Sequence, residues 1–274
     1  MSYSRIQSFS YSILHAFSYS ILHAFNYSIN QFLSMEAMIF AAGLGTRLRP
    51  LTNDRPKALV EVCGKTLLQH CIEMLIGNGA TRIVINVHHF AEMMKEYISK
   101  LNYSIDIQIS DESQLLLDTG GGLKKAVSLF SGKEPVVIAN VDILTNIDLR
   151  KMMQQHIDSK ADATLAIRDR KSSRQLLFND DWQLGGWQNN KTGESIIVSQ
   201  SKDLKPFAFS GIHIISPSLF DKFPAEEVFP IIPHYLKLAE NHKIIGYRHD
   251  SDYWFDAGSV EKIAEAEKFL ISKK

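Results

Sequence analysis

Residues 38–60 read MIFAAGLGTRLRPLTNDRPKALV, an apolar run that enters a glycine-rich turn and leaves it through two arginines. An apolar run that ends in small residues is typical of a strand that ends at a ligand site in an open α/β sheet. The small residues from Ala41 to Gly45 let backbone N–H groups come close to phosphate oxygens. Arg47 can donate two parallel hydrogen bonds to a phosphate, and Lys57 adds a compact positive charge. The segment therefore predicts a buried strand followed by a phosphate-binding loop.

Two better-known glycine motifs do not fit this sequence. A dinucleotide fingerprint needs a third glycine where this chain has Leu48, and the second strand, RIVINVHH, lacks the acid that holds a ribose. Gly64-Lys65-Thr66 imitates the end of a P-loop, but the first glycine of that motif falls on Leu59. Neither a dinucleotide site nor a P-loop is expected.

Strands and helices alternate through the first half of the chain. The segments AMIFAA, RIVINV, SIDIQIS and PVVIAN have the composition of strands, and each is followed by a stretch that is rich in glycine or has helical spacing. After Ala161, short strand-like pieces separated by Asn, Asp and Gly indicate a hairpin region. The helical pattern VFPIIPHYLKLAENH is expected to be interrupted at Pro233. We predict an α/β fold with three layers, a Rossmann-like doubly wound and mainly parallel sheet, and a small β-hairpin lid over the substrate.

The first 34 residues follow a different pattern. The unit FSYSILHA occurs at 9–16 and again at 17–24, and Arg5 is the only Lys, Arg, Asp or Glu before Glu36. Serines and histidines interrupt the apolar runs, which does not match a signal peptide. We interpret residues 1–34 as an extension outside the fold and residues 35–274 as a single catalytic domain.

The composition is that of an ordinary soluble domain. The chain has 274 residues, with 30 Lys+Arg against 30 Asp+Glu, so net charge gives no reason to expect binding to nucleic acid or to an anionic membrane. The two cysteines fit neither a zinc pattern nor a disulfide framework, and no run of 18 apolar residues occurs. We expect a cytoplasmic protein, either a monomer or a homodimer.

The stretch GLGTRLRPLTNDRPKALV resembles the motif of the sugar-1-phosphate nucleotidyltransferases, in which Gly-x-Gly-Thr-Arg-x-x-Pro-Leu-Thr is followed by Pro-Lys. Further similar segments follow in the same order to the C-terminus: NVHHFAEMM, LLDTGGGLKKA, NVDILTNID, FAFSGIHIISP and WFDAGSVEKIAEAEKFL. Members of this family join a nucleoside triphosphate to a sugar 1-phosphate and release pyrophosphate. The resemblance implies the same substrates here.

The resemblance also implies roles for individual residues. Arg47 and Lys57 are the expected catalytic cations, and magnesium is the expected cofactor, held by Asp142 and Asp256. The nucleotide is expected to lie against Ala42, Gly43, Gly45 and Thr46, with Glu112, Thr119 and Gly120 around the base.

The acceptor site departs from the family pattern. Asn140, Ser210 and Gly211 are expected to lie near the sugar phosphate, with Ser210-Gly211 in place of the Asn-x-Gly of many relatives. Many relatives also carry a Glu-Lys pair whose lysine holds the sugar phosphate, and this chain has no counterpart for it. We expect Arg174, or otherwise Arg168, to replace that lysine.

Within the family, the DTGGG segment and the short C-terminus most resemble N-acetylmuramate 1-phosphate uridylyltransferases, which implies UTP as the donor. Mannose- and heptose-1-phosphate guanylyltransferases are the alternative, as is a regulatory subunit that binds nucleotide sugars without catalysis. Arg47, Lys57, Asp142 and Asp256 are all present, and this favours an enzyme.

Overall fold

The computed structural model of the chain describes residues 35–201 and 203–273. The repeats at 1–34 lie outside these residues, so their assignment as an extension stays a prediction, as does the single domain over 35–274. Elements are numbered from the first described one.

The described strands are β1 Met35–Phe40, β2 Glu61–Val62, β3 Lys65–Thr66, β4 Ala80–Val87, β5 Asp106–Asp111, β6 Val136–Asn140, β7 Ile143–Thr145, β8 Ala163–Arg168, β9 Arg174–Phe178, β10 Leu184–Asn189, β11 Ser195–Ile197, β12 Lys205–Ile215, β13 Ile244–Arg248 and β14 Trp254–Asp256. The described α-helices are α1 Leu67–Gly77, α2 Ala91–Ser99, α3 Asp118–Ala126, α4 Leu149–Asp158, α5 Ile231–Leu238 and α6 Val260–Ile271.

A parallel sheet with the order β5-β4-β1-β6 forms the half of the fold that carries the glycine-rich loop. Strand β1 lies at its centre, where Met38 pairs with Val84 of β4 and with Ile138 of β6. Both faces of β1 are covered, which explains its nearly continuous apolar sequence.

Helices cover both faces of this sheet. Alternate residues of β1 enter different cores: Ile39 packs in a cluster with α1, α2, α4 and α6, while Met38 packs in a second cluster with α3 and α5. This alternation follows from the two-residue repeat of a strand. The prediction of an α/β fold with helices on both faces of the sheet is confirmed.

The second half of the sheet is largely antiparallel. The long strand β12 runs antiparallel to β6, β8 and β9, and β9 to β11 extend the sheet as an antiparallel meander. Strand β13 alone returns parallel to β8 in this half. The predicted hairpin region is therefore joined to the main sheet through β12, and its action as a lid stays a prediction.

The helix at Pro233 differs from the prediction, whereas the Gly-Lys-Thr sequence agrees with it. Pro233 does not interrupt a helix, because α5 begins at Ile231 and places the proline in its first turn, where no backbone N–H is needed. Thr66 of the Gly-Lys-Thr sequence caps α1 instead of binding phosphate. Its side chain accepts a hydrogen bond from the Gln69 N–H, and the Gln69 side chain accepts one from the Thr66 N–H.

Cys63 and Cys71 are both free thiols. Burial raises the pKa of Cys71 to about 12, so this thiol is unreactive near neutral pH. In the described part of the chain, no helix combines the length and the apolar character needed to span a bilayer.

Helix α3 contains three consecutive buried glycines because another segment lies directly against it. A Cβ on Gly121 would lie 2.0 Å from the backbone oxygen of Glu227, and one on Gly120 would lie 2.2 Å from the Phe229 ring. We expect Gly121→Ala to lower the free energy of unfolding by about 2–3 kcal/mol, since backbone atoms must move apart. Urea-induced unfolding measures this change.

Gly77→Ala is the matched control. Gly77 is the last residue of α1, and nothing lies within 4 Å of the position of its missing Cβ. Alanine there is expected to be neutral or to stabilise by up to about 1 kcal/mol through its higher helix propensity. Equal losses for the two variants would contradict the role assigned to the contact at Gly121.

Candidate functional site

The glycine-rich loop leaves β1 at its carboxyl end and is held by a buried side chain of β4. The Asn86 Oδ1 accepts hydrogen bonds from the backbone N–H groups of Ala41, at 2.7 Å, and Ala42, at 3.2 Å. Within the described residues, the N–H groups from Gly43 to Thr46 have no protein acceptor. Backbone donors without a protein acceptor are what a phosphate site requires.

Lys57 lies directly beside this loop. Gly45 has a φ of 66°, in the left-handed region that favours glycine, and a Cβ there would lie 3.0 Å from Lys57 Cβ. The Thr52 hydroxyl donates to the Gly45 carbonyl at 2.9 Å, which fixes the chain between the loop and the lysine. The loop and Lys57, both expected to bind phosphate, are thus in contact.

The two aspartates expected to bind metal also lie side by side. Asp142 follows β6, and the short antiparallel pair of β7 and β14 places Asp256 opposite Ile143. The Ala257 N–H donates to the Asp142 carbonyl at 2.8 Å. Residues far apart in sequence are therefore adjacent at the carboxyl end of β6.

Positive groups surround these carboxylates. Lys57 forms an ion pair with Asp142, and Lys262 of α6 lies 2.8 Å from Asp256. Arg47 also lies close to Asp256, because both side chains contact Gly258. A Cβ built on Gly258 would lie 2.9 Å from Arg47 Nη2 and 2.6 Å from Asp256 Oδ1. Burial pushes the pKa of Asp256 upward, but Lys262 and then Arg47 and Lys57 outweigh it and hold this pKa below its usual value.

The residues expected near the base have their polar groups occupied within the protein. The Glu112 carboxylate, which is only 1% exposed, accepts a hydrogen bond from Asn86 Nδ2 at 2.7 Å. The Thr119 hydroxyl accepts from the Ile231 N–H at 3.0 Å, and the Gly120 N–H donates to the Phe229 carbonyl at 2.8 Å. These contacts position α3, and base binding by these residues stays a prediction.

Three of the residues expected at the acceptor site are close to the aspartates. A Cβ on Gly211 would lie 2.9 Å from the Asn140 Nδ2, so these two residues are in contact. The Ser210 hydroxyl is fully buried and hydrogen-bonded to His249 Nε2 at 2.7 Å. Burial lowers the pKa of His249 to about 4, so this pair is neutral near pH 7. Gly211 and Asn140 are brought together, whereas the Ser210 hydroxyl is directed into the core.

The two arginines expected to hold the sugar phosphate lie elsewhere. Arg174 begins β9, is exposed, and pairs with Asn189 of the meander; in the described structure its side chain has no hydrogen bond or ion pair to the aspartate cluster. Arg168 donates to the backbone carbonyls of His249, Asp250 and Asp252, so its guanidinium fixes that turn. The geometry supports neither residue as a replacement for the missing lysine.

Three residues that were not predicted belong to the site. Asn86 was detectable, because it is a polar residue inside the apolar strand RIVINV. Lys262 lies in a segment that resembles the family, but only the fold shows its pairing with Asp256. Arg170 had no sequence signal; its guanidinium lies 4.2 Å from the Trp254 ring centre and interacts with the charge of Asp256.

Comparisons with known proteins support the resemblance drawn from the sequence. The family model described as "Nucleotidyl transferase" matches residues 36–176. N-acetylmuramate alpha-1-phosphate uridylyltransferase of Caulobacter vibrioides is 32% identical over 246 residues, which cover 85% of this chain and 96% of that protein. D-glycero-alpha-D-manno-heptose 1-phosphate guanylyltransferase of Aneurinibacillus thermoaerophilus is 29% identical over 86% of this chain and 98% of its own length.

A solved structure shares the same fold. HddC from Yersinia pseudotuberculosis superposes with a TM-score of 0.71 and covers 86% of this chain and 99% of its own, at 21% sequence identity.

The Asn86–Glu112 pair gives a test of how the loop is held. In Asn86→Asp, two buried carboxylates would face each other across the present 2.7 Å contact. Burial already raises the pKa of Glu112, and a second carboxylate beside it would raise the pKa of the pair further. The folded state of the variant would then bind a proton more tightly than the unfolded chain does, so its stability falls as the pH rises. We expect a loss of about 3 kcal/mol at pH 8 that shrinks as the pH falls to about 5.5. Urea unfolding at the two pH values measures it.

Asn53→Asp, at an exposed position, is the control and is expected to change stability by less than about 0.5 kcal/mol at either pH. A loss for Asn86→Asp that does not depend on pH would show that the two carboxylates do not share a proton.

Proposed function

Because the chain belongs to the nucleotidyl transferase family, we propose that it transfers a nucleotidyl group from a nucleoside triphosphate to a sugar 1-phosphate. The observation that carries this proposal is the contact of a phosphate-binding loop with Lys57, next to Arg47 and two adjacent aspartates. UTP and N-acetylmuramate 1-phosphate are the proposed pair, since the uridylyltransferase of Caulobacter vibrioides matches 85% of the chain.

The proposed reaction is an in-line displacement. An oxygen of the sugar phosphate forms a bond to the α-phosphorus, the bond from this phosphorus to the bridging oxygen breaks, and pyrophosphate leaves with the electron pair. No nucleophile of the protein is needed. The protein must instead hold two anions together and stabilise the charge that develops on the leaving group.

The glycine-rich loop and its two cations suit this task. The N–H groups from Gly43 to Thr46 donate to the triphosphate, and Ala42 lets the backbone approach it closely. Arg47 stabilises the leaving pyrophosphate, and Lys57 neutralises charge where the bond changes. The Lys57 Cβ packs against Gly45, and its ammonium group is held beside the loop by the ion pair with Asp142.

Asp142 and Asp256 are the proposed metal ligands. They offer only carboxylate oxygens, on adjacent backbone segments, and this donor set suits Mg²⁺ with phosphate oxygens and water as its other ligands. When bound, the ion supplies charge neutralisation between the two phosphate-bearing substrates.

A guanylyltransferase is the second candidate, since the heptose 1-phosphate enzyme of Aneurinibacillus thermoaerophilus matches 86% of the chain. The base would lie near Glu112, Thr119 and Gly120, which act by positioning α3 and the loop that precedes it. A regulatory subunit without catalysis is disfavoured, because all four charged positions are occupied.

The deciding experiment is a panel of UTP and GTP with N-acetylmuramate, mannose, heptose and glucose 1-phosphates, in Mg²⁺, with pyrophosphate release as the readout. Release with UTP and N-acetylmuramate 1-phosphate above all other pairs supports the proposal. Preference for GTP would assign the second candidate, and nucleotide binding without release from any pair would identify a regulatory subunit.

Lys57→Met is expected to lower kcat by about 100-fold or more, because it removes a preorganised charge from the reacting centre. Lys133→Met, an exposed lysine without an ion pair in the described residues, is the matched control and should retain activity within about twofold. Steady-state kinetics of pyrophosphate release measure both. Retention of normal kcat by Lys57→Met would remove this lysine from the mechanism.

A further inference from the structure

Strand β12 is irregular beside the aspartate cluster. Its pairing with β8 shifts register between Phe209 and His213, and Gly211 within this bulge has a φ of 79°. At this bulge, two successive backbone carbonyls of β12 accept hydrogen bonds from side chains. Arg170 Nη2 donates to the Phe209 carbonyl and Trp254 Nε1 donates to the Ser210 carbonyl, each at 2.9 Å.

The side chains of Arg170 and Trp254 also contact each other. The Arg170 guanidinium lies over the Trp254 ring at 4.2 Å from its centre, a distance typical of a cation–π contact. The Trp254 ring is itself hydrogen-bonded to the Ser210 carbonyl. The Arg170 side chain is therefore held at two points, the Trp254 ring and the Phe209 carbonyl.

Most of the hydrogen-bond donors of Arg170 have no acceptor among the described residues. Among the described residues, the Phe209 carbonyl is the only hydrogen-bond acceptor for its side chain, and the buried Nε has none. Arg170 also lacks an ion pair within that part of the chain, although the charge of Asp256 acts on it. Asp256 is itself paired with Lys262. A partly buried cation without a carboxylate partner is stabilised when an anion binds to it.

The position of Arg170 favours one of the two phosphate-bearing substrates. Arg47 and Lys57 approach the aspartates from the glycine-rich loop, where the triphosphate is proposed to bind. Arg170 approaches from the loop after β8 and lies against the bulge that contains Ser210 and Gly211. The loop cations and Arg170 are therefore carried by different parts of the fold, and Arg170 is the one held at the bulge of β12.

We propose that Arg170 binds the phosphate group of the sugar 1-phosphate and replaces the lysine that many relatives use. This inference rests on the proposed function. Arg170 gives up no proton during the reaction. It donates hydrogen bonds to the nonreacting phosphate oxygens and lowers the repulsion between acceptor and triphosphate, while the attacking oxygen stays free.

The test measures KM for each substrate separately, with the pair that is active in the panel. Arg170→Met is expected to raise KM for the sugar 1-phosphate by about 10- to 100-fold and to leave KM for the nucleoside triphosphate within about twofold. Arg170→Lys keeps the charge but loses the planar fork and its stacking, so a rise of about fivefold or more is expected. If Arg170→Met fails to fold, Arg170→Lys decides.

Two further variants control for charge and for the competing arginine. Lys171→Met removes an exposed neighbouring charge and should leave both KM values within about twofold. Arg174→Met tests the arginine that the sequence analysis expected to bind the sugar phosphate. A rise in KM for the sugar 1-phosphate with Arg174→Met but not with the Arg170 variants would overturn the proposal.

Other outcomes are equally decisive. A rise in KM for the triphosphate alone, or a fall in kcat with both KM values unchanged, would overturn acceptor binding by Arg170. Absence of activity with every pair would overturn the proposed function and this inference with it. An active wild type whose KM values are unaffected by Arg170→Met would overturn only the inference.

Discussion

The buried hydrogen bonds of Asn86 fix the geometry on which the site depends. One side chain accepts from the N–H groups of Ala41 and Ala42 and donates to Glu112, so it joins the glycine-rich loop to the segment before α3. Each of these groups is buried, so removing its hydrogen-bond partner would destabilise the folded protein. Asn86 binds the first two N–H groups of the loop, whereas those from Gly43 to Thr46 have no acceptor among the described residues. Asn86 therefore holds the start of the loop that is proposed to bind phosphate.

Much of the fold could be predicted because its causes are local in sequence. The apolar run of β1 and its glycine-rich exit predict both the central strand and the loop, and the alternation of Met38 and Ile39 between two cores follows from strand geometry. Asp142 lies two residues after a buried strand, but its role as a metal ligand was expected from the family resemblance and stays a prediction. Lys57 required the family resemblance, because only packing against Gly45 brings it to the loop.

The acceptor side could not be predicted because its causes are distant in sequence. Arg170 is held by two groups that are distant in sequence, the Phe209 carbonyl beside the bulge of β12 and the Trp254 ring of β14. Arg174 is only four positions away, yet it begins a strand of the meander. Charge type and approximate position identify a set of candidate arginines. Only the tertiary course of one irregular strand shows which of them lies beside Trp254 and the bulge at Gly211.

A chain with no net charge concentrates opposite charges at one place, and their pairing explains how the site can accept anions. Lys57 is paired with Asp142 and Lys262 with Asp256, so two ammonium groups are held at the aspartates, where the phosphates are proposed to bind. A divalent cation on the carboxylates would compete with both lysines and leave their ammonium groups to phosphate oxygens. Arg170, stacked on Trp254 and without an ion pair in the described residues, needs no such exchange. Among the described residues, the proposed site thus combines two lysines that are paired with carboxylates and two arginines, Arg47 and Arg170, that have no ion pair.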